Sequence, residues 1–373
     1  MMVMAITAIG TANPPYKRHQ HEAVALVAAG LGLKPAEKRL LMSLYKATGI
    51  DYRHSVLSDY CSEPGKFEFF PNNPADPFPT TSARMKIYKD NALTLATAAI
   101  EDCLASLPHF DKREITHLIT VSCTGMYAPG LDIEIVQTLN FNSTTQRTAV
   151  NFMGCYGAFN GLKLANAICK ADGQANVLVV CVELCTIHFQ NNRTLDSFIA
   201  NAIFADGAAA VLVQSQHQTK KSLALQTFYC DLLPQTSKDM AWHIADFGFD
   251  IVLSSYVPEA IATGISTFTQ KLLDQTKMTV ADIDMYAIHP GGIKILQACE
   301  QALDISPEKN KYAYKVLKEN GNMSSATVLF VLKAIWDDIE DGADQKTIFS
   351  CAFGPGLTLE SMLLTINNRP NPC

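Results

Sequence analysis

The feature of this sequence that most limits its fold is a pattern of strands and helices that occurs twice. The first occurrence runs through "ITHLITVSCTG", "GCYGAFNGLKLANAICKADGQANVLVVC" and "FADGAAAVLV", and the second through "IDMYAIHPGG", "GNMSSATVLFVLKAIWDDIEDGADQKTIFSC" and "FGPGLTLESML". The spacing from Cys123 to Cys155 nearly equals that from His289 to Asn322. The pattern predicts two similar halves about a pseudo-twofold axis, with Cys155 and Asn322 at the starts of equivalent helices.

Within each half, short apolar runs alternate with helical patterns. The runs are rich in β-branched residues, as in strands buried on both faces, and they cover residues 114–123, 176–185, 208–214, 284–290 and 347–354. Apolar spacings of three and four predict helices over residues 90–107, 160–171 and 325–341. The sequence therefore predicts an α/β fold with helices packed on sheets. The polar stretch 214–222 is the predicted junction, which divides the chain into residues 1–221 and 222–373, and the proline-rich stretch 58–82 is a predicted surface loop.

Composition excludes several classes of protein. A chain of 373 residues with 48% hydrophobic and 18% charged residues is expected to be globular, and its net charge of -6 argues against nucleic-acid binding. No apolar run approaches the ~20 residues of a membrane span, and the N-terminal "MMVMAITAIG" is typical of a strand, not a signal peptide. The eleven cysteines are scattered without a CxxC pair, which argues against a metal cluster or a disulfide framework and favours a reducing cytoplasm.

Cys155 lies between an apolar run and a predicted helix, directly after Gly154. Most cysteines of the chain are expected in the core, and the local sequence leaves that interpretation open for Cys155. A thiol at a helix N-terminus, however, meets free N–H donors and a partial positive charge, and both favour the thiolate. The same donors can stabilise an oxyanion. Cys155 is therefore a candidate nucleophile.

Two other residues are expected to join it. A nucleophilic cysteine is commonly activated by an imidazole. His289 closes the apolar strand "DMYAI" and precedes "PGG", which puts it at the end of a strand where α/β proteins bind ligands. Asn322 follows Gly321 at a helix start, where an asparagine either caps the helix or offers a neutral amide donor to an oxyanion. The local sequence leaves both interpretations of Asn322 open.

Five motifs spread over most of the chain belong together: "GCYGAFNGLKLA", "LDSFIANAIFADGAAA", "AIHPGGIKIL", "GNMSSATVLFVL" and "AFGPGLT". With them the chain resembles the type III polyketide synthases, the chalcone synthase-like branch of the thiolase superfamily, and its microbial members in particular. The resemblance implies a duplicated thiolase-like fold with αβαβα layers, a homodimer, CoA thioesters as substrates, and no cofactor or metal. It also implies a catalytic triad, placed by the motifs on Cys155, His289 and Asn322, and a gatekeeping phenylalanine, Phe204.

Five further positions are carried over from the family as substrate-binding residues, and some of them depart from its pattern. They are Cys123, His188, Ile251, Ser324 and Pro355. Cys123 and His188 stand where the plant enzymes have threonines, and Ile251 stands near the place of a second gatekeeping phenylalanine. Pro355 separates this branch from the ketoacyl synthases that begin fatty-acid synthesis. Because these departures surround an unchanged triad, the resemblance does not imply a particular product.

CoA carries phosphates, so cations are expected near the mouth of the site. The predicted helix in "LKPAEKRLLMSLYK" offers Arg39 and Lys46 as candidates. A charged face of this kind is equally typical of a solvated helix surface, and the sequence does not choose between the two.

The resemblance implies iterative decarboxylative Claisen condensation of malonyl-CoA onto an acyl-CoA starter held on Cys155, followed by cyclisation to a pyrone, resorcinol or phloroglucinol-type product. The alternative is a ketoacyl synthase III-like enzyme that makes a single condensation with an acyl-carrier protein. A hydroxymethylglutaryl-CoA synthase would need a catalytic glutamate motif that the sequence does not show. A cysteine hydrolase, or a scaffold that has lost catalysis, fits the intact Cys-His-Asn set less well.

Overall fold

The structure, a computed structural model, describes residues 4–73, 75–215, 219–233, 236, 238–254, 256–340 and 345–368. The helices in this part are α1 (Gln20–Gly30), α2 (Pro35–Lys46), α3 (Thr81–Ala105), α4 (Leu131–Thr138), α5 (Gly157–Ala171), α6 (Leu195–Ile203), α7 (Val257–Asp274), α8 (Ile293–Leu303), α9 (Lys311–Asn320) and α10 (Thr327–Asp337). The strands are β1 (Ala5–Ala12), β2 (Tyr16–His19), β3 (Tyr52–Ser55), β4 (His117–Ser122), β5 (Gln146–Asn151), β6 (Asn176–Leu184), β7 (Asp206–Gln214), β8 (Lys221–Leu232), β9 (Met240–Ala245), β10 (Gly248–Leu253), β11 (Met285–Ile288), β12 (Thr347–Gly354) and β13 (Thr358–Asn368).

The main sheet repeats the order of its strands about its centre. Its order is β11-β12-β13-β8-β1-β7-β6-β4-β5. In the N-terminal half β4 pairs with β6 in parallel, while β6–β7 and β7–β1 are antiparallel. In the C-terminal half β11 pairs with β12 in parallel, while β12–β13 and β13–β8 are antiparallel. The halves meet where β1 and β8 pair through Ala5–Ala224 and Ile6–Leu223. The predicted duplication is therefore confirmed, with β5 as an additional edge strand of the N-terminal half.

Helices cover both faces of each half-sheet, because nearly every side chain of the central strands is apolar and buried. In the N-terminal half, Leu178 and Val180 pack toward α3, while Val177 and Val179 face a core that includes α5 and α10. Helix α10 contacts β1 and β7 of one half and β11 of the other, so it lies between the halves. Helices α7 and α9 cover the C-terminal half. This arrangement is the layered αβαβα fold.

The predicted strands are confirmed with small differences at their ends, and the predicted helix over 90–107 begins earlier, at Thr81. In the proline-rich stretch 58–82, the described residues 58–73 and 75–80 form one short 3-10 turn and irregular chain, but Phe67, Phe70 and Phe78 are buried. Part of the predicted junction, residues 216–218, lies outside the described residues, so the domain boundary stays a prediction. Among the helices described, none combines the length and the apolar character needed to cross a bilayer.

Candidate active site

Cys155 lies in a 3-10 turn, Gly154–Tyr156, that connects β5 to α5. Gly154 has a backbone φ of 79°, in the left-handed region that favours glycine. A Cβ at this position would also overlap with Cδ of Pro355. The ring of Pro355 therefore rests on the backbone just before Cys155. Two segments far apart in the sequence together determine where the thiol is placed.

Asn322 is held by the backbone at the start of the equivalent helix. Its N–H donates to the Ile203 carbonyl at 2.8 Å, and its carbonyl accepts from the Ala205 N–H at 2.9 Å. The side-chain Oδ1 accepts from the Ser324 N–H at 2.9 Å and from the Thr327 hydroxyl at 3.3 Å. The Thr327 hydroxyl has a nearer acceptor in the Ser324 carbonyl, at 2.9 Å, so the Ser324 N–H is the donor that orients the amide and leaves Nδ2 for other acceptors. Nδ2 makes a long hydrogen bond, 3.4 Å, to the Gly291 carbonyl and a 4.0 Å contact with the Cys155 sulphur.

His289 directly follows β11, and its backbone N–H donates to the Cys351 carbonyl at 2.8 Å. The side chain is 1% exposed, yet neither ring nitrogen has a hydrogen-bond partner among the described residues. Burial lowers the pKa of His289 to about 3, so the ring is neutral at physiological pH. A neutral ring can either accept a proton or donate a hydrogen bond to a substrate.

One cavity brings these three side chains together. It has a volume of about 230 Å³, and its wall also includes five other residues predicted from the sequence: Cys123, Phe204, Ile251, Ser324 and Pro355. The Cys155 sulphur lies 4.0 Å from both Oδ1 and Nδ2 of Asn322. Among the described residues that line the cavity there is no carboxylate. The site therefore combines a thiol, a neutral imidazole and an amide in mostly apolar surroundings.

The Cys155 thiol differs from the expectation for a helix N-terminus. Burial, helped by the negative charge of Glu183, raises the pKa of Cys155 to about 12, whereas hydrogen bonds with Ser324 and Asn322 act in the opposite direction. Desolvation therefore opposes the thiolate that the donors at the helix start favour. Burial also disfavours the charged form of His289, so it acts against an ion pair of these two side chains in the empty site.

Sequence reasoning missed Glu183, which is fully buried directly behind the cavity wall. Its carboxylate accepts hydrogen bonds from the backbone N–H and thiol of Cys123, from the Thr124 hydroxyl at 2.8 Å, and from the Ser325 hydroxyl. The Cys123 sulphur also lies 3.0 Å from the Ser324 hydroxyl. A single carboxylate inside the apolar strand "NVLVVCVEL" was the available signal, since such a group needs several donors to be buried.

His188 does not line the main cavity. Its Nε2 donates to the Thr124 carbonyl at 2.6 Å, its Nδ1 accepts from the Phe249 N–H at 3.0 Å, and its ring stacks on that of Phe249. Burial lowers its pKa to about 3. His188 therefore joins the β9–β10 hairpin to the segment after β4. It lines a second cavity of about 330 Å³ beside the first.

Arg39 and Lys46 lie on the exposed face of α2 and do not line either of these two cavities, although the neighbouring Ala47 and Thr48 line the main one. The cation that sequence reasoning missed is Lys294, in the first turn of α8. It is exposed and is the one lysine or arginine among the described residues lining the main cavity. The "GGIK" sequence shortly after His289 could have predicted that Lys294 lies near the site.

Comparisons with known proteins agree with this architecture. The family model of the chalcone and stilbene synthases matches in two parts, the N-terminal domain over residues 2–217 and the C-terminal domain over residues 223–367. The chain is 30% identical over 371 residues to the "Alpha-pyrone synthesis polyketide synthase-like Pks18" of Mycobacterium tuberculosis, covering 98% of this chain and 92% of that protein. It is 30% identical to a "Putative chalcone synthase" of Bacillus subtilis, covering 96% and 98% of the two chains.

A solved structure shows the same fold. The C-terminal type III polyketide synthase domain of Steely1, a type I/III hybrid from Dictyostelium, superimposes with a TM-score of 0.90 at 27% identity, covering 98% of this chain and 100% of that domain.

Proposed function

Because the chain belongs to the chalcone and stilbene synthase family of acyl-transferring type III polyketide synthases, we propose that it extends an acyl-CoA starter with malonyl-CoA by repeated decarboxylative condensation on Cys155. The observation that supports this chemistry is the meeting of Cys155, His289 and Asn322 in a cavity without a carboxylate on its described wall. Cys155 is the nucleophile, and His289 and Asn322 are the oxyanion donors. Phe204 and Ile251 border the passage for the chain.

Loading begins when His289 takes the Cys155 proton. The high pKa of the thiol and the low pKa of the imidazole make this transfer unfavourable in the empty site. It becomes productive when sulphur attacks the thioester carbonyl at the same time, because the negative charge moves onto the oxyanion. The carbon–sulphur bond to CoA then breaks, the acyl group stays on Cys155, and the proton leaves with the CoA thiol.

Extension uses the same donors a second time. His289 and Asn322 Nδ2 donate to the thioester oxygen of malonyl-CoA, and loss of CO₂ leaves an enolate whose negative charge develops on that oxygen. The enolate carbon attacks the acyl group and releases Cys155. A carboxylate in the wall would repel this enolate, which is why a neutral amide suits the position of Asn322. The chain is two carbons longer and reloads on Cys155 for the next round.

The starter, the number of rounds and the cyclisation depend on the shape of the cavity. We propose a pyrone, resorcinol or phloroglucinol-type product, and the name of the mycobacterial relative favours a pyrone. CoA phosphates are proposed to lie over Lys294 at the mouth, with Arg39 and Lys46 adding charge on the neighbouring α2. No bound metal or cofactor is required by this scheme.

We also propose that the protein forms a homodimer and is located in the cytoplasm. Strand β5 is the edge of the main sheet, and five of its six residues are exposed. An unpaired edge of this kind is commonly covered by a partner, and β5 is the strand that a second copy would contact. Light scattering on the purified protein tests the dimer.

The experiment that tests the activity is mass spectrometry of purified protein with malonyl-CoA and a series of acyl-CoA starters, beside Cys155→Ala. Wild type is expected to carry an acyl adduct and to release extended, cyclised products, and Cys155→Ala to do neither. The matched control is Cys61→Ala, an exposed cysteine outside both cavities, which should behave as wild type.

Loading from an acyl-carrier protein but from no CoA thioester, with a single extension, would instead support the ketoacyl synthase III-like alternative. Failure to load any thioester would overturn both proposals.

A further inference from the structure

The second cavity shares part of its wall with the main one. Four side chains line both cavities: Cys185, Phe204, Trp242 and Ile251. The second cavity, of about 330 Å³, extends between α1, α6 and the β9–β10 hairpin. An acyl chain on Cys155 that passed between the four shared side chains would enter it.

Most polar groups on the wall of the second cavity already have partners. Asp59 accepts hydrogen bonds from the backbone N–H groups of Glu68, Phe69 and Phe70. The Thr186 hydroxyl donates to Asp206 at 2.7 Å, and both nitrogens of His188 are used. These groups have little capacity left for a ligand.

The Arg53 guanidinium also has hydrogen-bond partners. Arg53 is 3% exposed and has no salt bridge within the described residues. Its guanidinium donates to the carbonyls of Asn201 and Phe204 at the end of α6, at 2.9 and 2.7 Å, and its Nε donates to Gln20 at 2.8 Å. The arginine therefore stabilises the segment that carries Phe204 and is committed to the backbone.

Two donors on this wall are different. The Tyr60 hydroxyl and the Asn201 Nδ2 are both buried and have no hydrogen-bond partner among the described residues. Tyr60 is only 8% exposed as a residue. Burial raises the pKa of Tyr60 well above its ordinary value, so the hydroxyl keeps its proton. An amide nitrogen can only donate, so each of these donors would be satisfied by an acceptor oxygen.

We propose that the second cavity binds the distal end of the acyl chain and selects a chain with a ketone oxygen near that end over a plain alkyl chain. This inference rests on the proposed function and adds the class of chain that the enzyme prefers. A plain alkyl end would cover Tyr60 and Asn201 without pairing them, whereas a ketone gives them an acceptor. Repeated condensation on a short starter such as acetyl makes such chains, since the ketone left by the first round moves away from Cys155 with each further round.

The test is a binding measurement that does not need turnover. Calorimetry on Cys155→Ala compares saturated acyl-CoA thioesters from hexanoyl to tetradecanoyl with the chains of equal length that carry a ketone next to the terminal methyl. The two series should bind equally at the shortest length. At lengths that reach Tyr60 and Asn201, the ketone series should bind about tenfold more tightly, the scale of one or two net hydrogen bonds.

Adding Tyr60→Phe to Cys155→Ala should reduce this ratio to about twofold or less. The matched control adds Tyr286→Phe to Cys155→Ala. It removes another buried hydroxyl that has no partner among the described residues, and Tyr286 lines neither cavity. This control should leave the ratio of the two affinities unchanged. Asn201→Leu removes the other donor and should lower the ratio as Tyr60→Phe does. This variant replaces Tyr60→Phe in the test if Tyr60→Phe does not fold.

Equal binding of the two series at every length would overturn the selection of ketones and leave the proposed function intact. A Tyr60→Phe variant that weakens both series by the same factor would assign the hydroxyl a structural role and would also overturn it. Binding of neither series would remove the proposed function, and this inference with it.

Discussion

The two halves of the molecule place different chemistry at equivalent points of the same framework. In the N-terminal half, β4 is followed by Cys123, and the residue in line with it on the neighbouring β6 is Glu183. In the C-terminal half, β11 is followed by His289, and the residue in line with it on β12 is Ala352. Cys123 donates its N–H and its thiol to Glu183, whereas neither ring nitrogen of His289 has a hydrogen-bond partner among the described residues.

The difference lies in the second strand of each pair. A glutamate gathers the nearby donors into a closed cluster, whereas an alanine provides no side-chain acceptor and leaves the histidine free. Duplication thus supplies two similar strand ends, both on the wall of the main cavity, and a neighbouring glutamate accepts hydrogen bonds from only one of them. The cluster of Glu183 is expected to contribute mainly to stability, and His289 mainly to activity.

The largest expected effect is at His289, in the C-terminal half. His289→Gln should lower product formation about a thousandfold, because a general base and oxyanion donor is removed, while the free energy of unfolding near pH 7 changes by less than about 1 kcal/mol. Steady-state rates and urea unfolding measure the two quantities. His117→Gln, a histidine outside both cavities, is the control. A loss of less than tenfold would remove His289 from the proposed mechanism.

At Glu183, in the N-terminal half, a substitution should change the stability of the protein more than its activity. Glu183→Ala leaves the Ser325 and Thr124 hydroxyls and the Cys123 N–H without their acceptor, and it should lower the free energy of unfolding by about 3 kcal/mol. Glu183→Gln keeps one acceptor oxygen and should lose about 1 kcal/mol. Urea denaturation of both variants tests this. Wild-type stability in Glu183→Ala would show that the cluster adds nothing to the fold.

A smaller effect is expected at the two helix starts. Gly154→Ala puts a Cβ into the Pro355 ring at a φ of 79° and should destabilise the protein by about 2 kcal/mol. The equivalent turn begins with Ser324, which holds a φ of 48° with a side chain, so Ser324→Ala should lose about 1 kcal/mol or less. Adding Pro355→Ala to Gly154→Ala should recover part of the loss. Strict additivity of the two changes would contradict the contact.

The last effect is in the pH dependence. Because the folded pKa of His289 is about 3 and the unfolded value is about 6.5, the unfolded chain binds a proton between these values that the folded chain does not. Stability should therefore fall as pH drops below about 6.5. His289→Gln should make that fall shallower by about 1.4 kcal/mol per pH unit. Denaturation of wild type and variant between pH ~5 and ~7 compares the slopes, and parallel slopes would mean that folding does not shift the pKa of His289.

Much of this architecture was predictable, because the patterns that carry it are local. Buried strands and amphipathic helices repeat in the sequence, and the glycines before Cys155 and Asn322 mark the two helix starts. The placement of Cys155, His289 and Asn322 in one cavity follows from the duplication together with the family motifs. Their chemical roles stay proposals until the variants are measured.

The rest depends on contacts between distant segments. Nothing near Cys155 in the sequence indicates that burial raises its pKa, because the surroundings that bury it come from α6, β10 and the segment around Pro355. His188 was predicted to line the main cavity by counting from a motif, but its ring turns to Thr124 and Phe249. Glu183 was missed because its partners lie in two segments that are far from it in the sequence, Ser122–Thr124 and Ser325.

The protonated state of Cys155 also affects chemical labelling. Because burial raises the pKa of Cys155 well above its ordinary value, the thiol form dominates at pH 7, and alkylating reagents such as iodoacetamide react with thiolates. Among the described cysteines, Cys61 and Cys230 are exposed and should be modified before Cys155. Rapid alkylation that leaves turnover unchanged is thus expected of the native enzyme. A screen for covalent inhibitors should therefore score the peptide that contains Cys155, and not the total number of thiols consumed.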